Sequence, residues 1–363
     1  MKLWAILFFV LPFVGAAYVS WRIWHILPLG IIGSVLAVAL VWLGLAVMIF
    51  NFVVGLDNVS LSLARMMYEV GTSWPFVMLY LFMIFLVLDL GRLAHVVPQS
   101  FVIHSMAGTM CVTALMVVLF VYGNWNYRNK VRVPLTLKTE KKLEGRKRVV
   151  FVSDLHLGYH NPRKELARWV DLMNAEKPDM ILVAGDIIDI SVRPLLEEGM
   201  ADEFRRLSAP VYACLGNHKY YSGEPKARKF YDDAGIQLLV DSMAVVGGVC
   251  VIGRDDRTNA HRLSLGKIMK KVDRSKYLIL LDHQPYHLEQ AEKCGIDFQF
   301  SGHTHYGQVW PINWITNMIY EDAFGSYQKG RTRYYVSSGL GIWGGKFRMG
   351  TQSEYVVAEV QTE

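Results

Sequence analysis

At 363 residues, 52% of them hydrophobic and 19% charged, the chain is too apolar to be disordered and long enough for one full α/β domain beside a set of membrane helices. Its net charge of +6 argues for no nucleic-acid partner, which would need basic residues spread over a folded face. Nine Lys and Arg against two Glu crowd into residues 128–148, whereas the part from Val149 onward carries 25 against 27. Cys111, Cys214, Cys250 and Cys294 show no paired spacing, which excludes a disulfide-framed secreted domain.

In chain order, residues 1–127 contain four apolar runs, Leu3 to Val19, Leu29 to Val54, Pro75 to Leu88 and Ser105 to Tyr122. Each is near the ~20 residues that span a bilayer, which predicts a bundle of about four transmembrane helices. The first run, with Lys2 before it and Val14 to Ala17 near a cleavage-like site, also fits a signal peptide. A retained helix is the preferred reading, because three further runs follow. Asp89, His95 and His104 fall in or near the third and fourth runs, where an ionisable group is a functional candidate by default. All three lie close to expected helix ends, where water can solvate them.

Residues 128–148 read as a basic juxtamembrane linker. By the positive-inside rule this collar puts the following domain, and Lys2 with it, in the cytoplasm of a multi-pass protein of the cell (inner) membrane. Arg22 and Arg92 would then face outward, against the rule. A collar of this kind also attracts anionic lipid at ~1 kcal/mol per charge.

Residues 149–363 alternate strand-like runs with helical stretches such as Arg163 to Asn174 and Ala201 to Leu207, as layered α/β folds do. The run from Val245 to Gly253, rich in Val and Gly, would start the second half. Five polar blocks each follow an apolar run: Asp154 and His156 after RVVFVS, Asp186 and Asp189 after MILVA, Asn217 and His218 after VYACL, His283 after YLILL, and His303 and His305 after Phe298 to Ser301. Open α/β sheets build their sites at such carboxyl ends of strands. Any one block could be an ordinary turn, since Asn and Gly cap helices and short motifs recur by chance. Five of the chain's 11 histidines inside these blocks make coincidence a poor account. Carboxylate, imidazole and amide oxygen without thiolate suit two divalent ions, Mn, Fe or Zn, with Mn favoured.

The ordered set DxH, GDxxD, GNH, H and GHxH resembles the calcineurin-like metallophosphoesterase superfamily, over roughly Arg148 to Val360. GHTHYGQVWP and YYVSSGLGIWGGKFRMG are most similar to the membrane-associated subfamily typified by bacterial YkuE and YaeI proteins. The resemblance implies a four-layer α/β/β/α sandwich. It also implies one metal on Asp154, His156 and His305, a second on Asn217, His283 and His303, and Asp186 bridging them. Two such ions ~3.5–4 Å apart clamp the attacking and leaving oxygens of an in-line displacement and activate a bridging hydroxide. His218, beside Asn217, would act as the catalytic acid or stabilise the phosphoryl oxygen. Asp189 would fix the loop or orient a ligand imidazole. Many relatives carry an acid after GNH where this chain has Lys219, which bears on substrate preference.

The expected function is therefore a membrane-anchored, dinuclear metal-dependent phosphoesterase cleaving a phosphodiester, pyrophosphate or phosphomonoester. A lipid-linked substrate such as UDP-diacylglucosamine is implied by the subfamily. The alternatives are a broad phosphatase or phosphodiesterase merely tethered to the membrane and a catalytically silent membrane scaffold. Nothing in the sequence fixes the oligomeric state.

Overall fold

The computed structural model describes residues 3–218 and 224–363, with the side chains of residues 3–9 and 224–225 not described. Lys2 and Lys219 lie outside the described residues. Two compact units emerge: residues 1–125 with Gly344–Lys346, and residues 126–343 with 347–363.

The first unit is helical: α1 Leu3–Ile26, α2 Ile31–Val53, α3 Leu61–Leu93, the short α4 Gln99–Val102, and α5 Met106–Arg128, whose last turn belongs to the second unit. Among the described residues, α2, α3 and α5 are long and apolar enough to cross a membrane, three helices rather than the four expected. The difference lies in α1, where part of the apolar run falls outside the described side chains. The third run was also too short as read from the sequence: α3 carries Pro75 in its interior and extends to 33 residues.

Small residues bring these helices together, as they do wherever lipid removes the hydrophobic drive for association. A Cβ on Gly44 would stand 2.0 Å from the Trp74 ring, and the Trp74 indole N–H donates to the Val41 carbonyl at 2.8 Å. His95 and His104 are exposed, but Asp89 is not solvated in the way its place near a helix end suggests. It accepts a 2.6 Å bond from the Tyr18 hydroxyl and pairs at 3.4 Å with Arg22, itself 1% exposed. The ion pair follows from burial: a charge removed from water persists where an opposite charge faces it.

The second unit holds two six-stranded sheets. One runs in the order β1 Lys130–Thr139, β12 Ser353–Thr362, β2 Lys147–Val152, β3 Met180–Ala184, β4 Val211–Cys214 and β5 Ile236–Leu238. The other runs β10 Gly325–Lys329, β11 Thr332–Val336, β9 Phe298–Ser301, β8 Tyr277–Leu281, β7 Val249–Gly253 and β6 Ser242–Val246. The helices are α6 Arg163–Ala175, α7 Arg193–Glu197, α8 Met200–Phe204, α9 Glu224–Asp233, α10 Leu265–Ile268, α11 Glu289–Cys294 and α12 Ile312–Ile319.

Three apolar cores define the layering. Val150, Val183 and Val211 of the first sheet face Trp169 of α6, Phe204 of α8 and Phe230 of α9. Phe151, Leu182, Ile279 and Phe300 fill the space between the sheets. Ile252 and Leu280 face Ile268 of α10 and Ala291 of α11. This is the expected α/β/β/α sandwich, and β2, β3, β4, β8 and β9 are buried at every position but the first two of β2, as central strands covered on both faces must be.

One expectation fails. Residues 128–148 are not a linker: Lys130–Thr139 forms an edge strand that pairs parallel with β12 along its whole length, and Lys147 and Arg148 open β2. Val245 to Gly253 lies in the β6–β7 hairpin with which the second sheet starts, where Gly247 and Gly248 turn at φ 55° and 88°, a region glycine enters without steric cost.

Candidate metal centre

The five blocks converge where β2, β3, β4, β8 and β9 end. Asp154 and His156 leave β2, Asp186 leaves β3, Asn217 and His218 leave β4, His283 leaves β8, and His303 and His305 leave β9. At these elbows Asp154, His156, Asp186, His303 and His305 all have φ between 43° and 72°. Non-glycine residues adopt that region at a cost of about 1–3 kcal/mol each, and do so mostly at functional sites. Glycines make the convergence possible. A Cβ on Gly216 would lie 2.1 Å from Asp186 Oδ1, and one on Gly302 2.3 Å from Asp154 Oδ2. The G of GNH and the G of GHxH are therefore steric requirements of carboxylates on other loops.

Among the described residues three groups of donors result; His156, Asp189 and His218 form one, and the other two are built on Asp154 and Asp186. Asp154, His156 and His305 form one, with Asp154 Oδ1 3.8 Å from His156 Nε2 and 3.5 Å from His305 Nε2. Asp186, His283 and His303 form the other, with Asp186 Oδ2 3.0 Å from His283 Nε2, which also lies 3.1 Å from Asn217 Oδ1. Asp186 touches both groups, since the same Oδ2 is 3.8 Å from His156 Nε2. His283 Nδ1 donates to the Ala184 carbonyl at 2.8 Å, which turns Nε2 into the site. His156 is held the same way, its Nδ1 3.3 Å from Asp189. Orientation of this kind fixes the tautomer that a metal needs.

Charge bears out the fit to cations. Nε2 of His156 and of His305 face each other at 3.1 Å, a spacing at which two lone pairs repel unless a proton or cation sits between them. Burial and the neighbouring charged His283 push His303 down to about 4, so its ring is neutral and offers a lone pair. Burial disfavours the charged forms of His156 and His283, yet the carboxylates around them outweigh it and raise the two to about 9 and about 10. Burial likewise opposes ionisation of Asp186, but His283 and His218 overcome it and hold the carboxyl well below its usual range. The donor set is carboxylate, imidazole and the Asn217 amide oxygen, a combination that suits divalent metals.

Residues 147–307 match the calcineurin-like phosphoesterase family. An Aquifex aeolicus metallophosphoesterase is 30% identical over 239 residues, covering 62% of this chain and 90% of that protein. The chain belongs to the calcineurin-like metallophosphoesterases. Bacillus subtilis YkuE is 30% identical over 213 residues, or 54% of this chain and 72% of that one. A Danio rerio transmembrane protein with a metallophosphoesterase domain is 30% identical over 274 residues, 69% of this chain and 62% of that one. In Campylobacter jejuni and Helicobacter pylori relatives the match spans 59 to 67% of their length. The family's enzymes are metal-dependent phosphoester hydrolases. Three described helices of this chain are long and apolar enough to cross a membrane, and the Danio rerio relative is named as a transmembrane protein.

Within this metallophosphoesterase domain Asp189 joins three imidazoles, lying 3.3 Å from His156, 3.0 Å from His218 and 3.7 Å from His160. The His218 ring packs edge-on against His156 at 4.6 Å between centroids. Its side chain is 13% exposed, while those of His156 and Asp189 are about 1%. His218 thus stands on the open side of the donor cluster with one nitrogen held by a carboxylate.

Sequence reading missed two buried residues. His160, four residues past His156, places Nε2 2.6 Å from the Ile342 carbonyl. Arg348, fully buried, donates to the His305 carbonyl at 2.7 Å, to Ser338 O at 2.5 Å and to Gly341 O at 3.2 Å. It ties the SSGLG turn to the loop carrying His305. No local period in the sequence marks either residue.

The raised histidines give a signed prediction. Metal binds neutral imidazole, so below pH 9 binding must expel the protons of His156 and His283. Apparent affinity for Mn²⁺ should rise steeply from pH 6 to pH 8, by up to about a hundredfold per unit if both protons leave. Chelator competition reads the affinity, and calorimetry in buffers of different ionisation enthalpy reads the protons. A flat profile with no proton release would contradict the charge state assigned to this pair.

Proposed function

We propose that the chain is a membrane-anchored phosphoesterase using two divalent ions, Mn²⁺ favoured, with Asp154, His156 and His305 holding one, Asn217, His283 and His303 the other, and Asp186 shared. The observation that carries this reading is the placement of Asp186 Oδ2, 3.0 Å from His283 in one donor group and 3.8 Å from His156 in the other. When bound, the ions supply Lewis acidity to the phosphoryl group and its attacking water. The chain's own residues do the rest. Asp189 orients His156 and His218, and His218, on the exposed side, donates a proton to the departing oxygen or a hydrogen bond to the phosphoryl oxygen. The buried carboxylates compensate the charge of the ions.

The substrate is best read as lipid-linked, UDP-diacylglucosamine being one candidate. What favours this over mere tethering is α12, which begins seven residues after His305 and carries no charged residue. Trp314 is 59% exposed and Met318 78%, beside Ile315 and Ile319. An uncharged helix with large apolar side chains in water fits acyl chains or the bilayer boundary. The basic residues at 128–148 support a cytoplasmic domain at the inner membrane and an affinity for anionic lipid.

Purified full-length protein should be assayed with Mn²⁺, Zn²⁺ or Fe²⁺ against p-nitrophenyl phosphate, bis(p-nitrophenyl) phosphate and UDP-diacylglucosamine. Metal-dependent turnover, lost with EDTA and fastest on the lipid substrate, is the expected result. Equal rates on the small esters would favour the tethered broad phosphatase. Absence of turnover on all three with metal bound would favour the silent scaffold.

A further inference from the structure

Beyond the metal centre, aromatic and cationic groups form a continuous ladder. The ring of His303 meets Tyr320 edge-on at 6.2 Å, Tyr320 meets Tyr286 at 4.8 Å, and the Arg257 guanidinium lies over Tyr286 at 3.9 Å. Tyr286 follows His283 by three residues, so one rung sits on a loop that also carries a candidate ligand.

Arg257 comes from the block GRDDR after β7, and its neighbours fix its backbone. The Gln284 amide donates to both oxygens of Asp256 at 2.9 Å, and Asn259 donates to Asp255 at 2.8 Å. The other nearby guanidiniums are engaged: Arg254 and Arg262 both pair with the buried Asp282, at 2.8 and 3.2 Å. Arg257 is exposed, and among the described residues it makes no ion pair. A guanidinium held over an aromatic ring does not spend its N–H groups on that contact, and its fork of donors matches phosphate or carboxylate with two parallel bonds.

We propose that Arg257, seated on Tyr286, which in turn packs against Tyr320, is a second anion-binding subsite of the phosphoesterase. It would select substrates that carry a further phosphate or carboxylate some way from the scissile phosphorus. The ladder steps outward from His303 through two rings, so Arg257 addresses a distal group and not the phosphate undergoing attack. The proposal rests on the metal-centre reading above. It adds to that reading a substrate class: extended esters with two anionic groups.

The test uses the full chain loaded with Mn²⁺ and a series of α,ω-alkane bisphosphonates with one to eight carbons between the phosphonates. Methylphosphonate is the single-anion reference. Titration calorimetry measures binding directly, so the result does not depend on turnover of any ester. In the wild type, affinity relative to methylphosphonate should show a maximum of about tenfold or more at an intermediate length. That length preference should vanish in Arg257→Gln and shrink in Tyr286→Leu, which removes the ring beneath the guanidinium. A wild type without length preference, or an Arg257→Gln protein that keeps it, overturns the subsite. Failure of every phosphonate, methylphosphonate included, to bind the metal-loaded wild type would count against the metal-centre reading itself.

Discussion

Asp186→Asn is expected to cost the protein its metal and nearly all its turnover while the sandwich stays folded. One oxygen of Asp186 accepts the His218 backbone N–H at 3.0 Å, and the other faces His283 at 3.0 Å and His156 at 3.8 Å. An amide can keep the first bond, because its oxygen still accepts. On the other side it would present N–H₂ or a neutral oxygen where both donor groups need a charged one. The shape of the side chain is preserved, so β3 and its two apolar cores keep their packing. Elemental analysis of the purified variant should give well under two metal ions per chain, and kcat should fall by at least a thousandfold. Retention of a tenth of wild-type kcat, a barrier change of only ~1.4 kcal/mol, would show that Asp186 does not bridge.

The parts of this design that were legible in the sequence are those fixed by local chemistry. A run such as MILVA, rich in β-formers and closed by GD, reads as a buried strand ending in a polar turn, and β3 spans those five residues, Met180–Ala184. What stayed hidden depends on partners distant in the chain. KVRVPLTLKT was read by its charge as a linker, although Val131, Val133, Leu135 and Leu137 alternate with polar residues as strands do. Pro134 lowers the strand signal, yet β1 is an edge strand, where a missing N–H is tolerated.

Arg348 and His160 show the same limit from the other side. Each is a polar residue at most 1% exposed, and each meets carbonyls that only the folded chain brings near: Ile342 for His160, and Ser338, Gly341 and His305 for Arg348. In the helical unit, Asp89 was assigned to solvent by its position near a helix end. Its partner Arg22 lies 67 residues earlier, and no periodicity links the two. Pairing across such distances is set by packing, which is why type and order of elements could be read and polar burial could not.

His218→Ala should separate proton transfer from metal binding. The side chain is the most exposed imidazole facing Asp189, and that carboxylate lies 3.0 Å from one of its nitrogens. Its ring contacts His156 edge-on without entering either donor group around Asp154 or Asp186. Metal content should therefore stay near the wild-type value while kcat falls by roughly 10²–10⁴-fold, the range general acids contribute. The deficit should shrink when the leaving group is p-nitrophenolate, which departs without a proton, and be largest for an alkyl phosphate. Asp189→Asn should lose less and follow the same leaving-group trend, because it removes the charge that orients His218 but leaves the imidazole in place. If His218→Ala loses the same factor on both esters, the residue acts by stabilising charge on the phosphoryl oxygens and the proton comes from elsewhere. If the variant loses its metal, His218 belongs to the ligand set, and the division of labour between Asn217 and its neighbour would have to be redrawn.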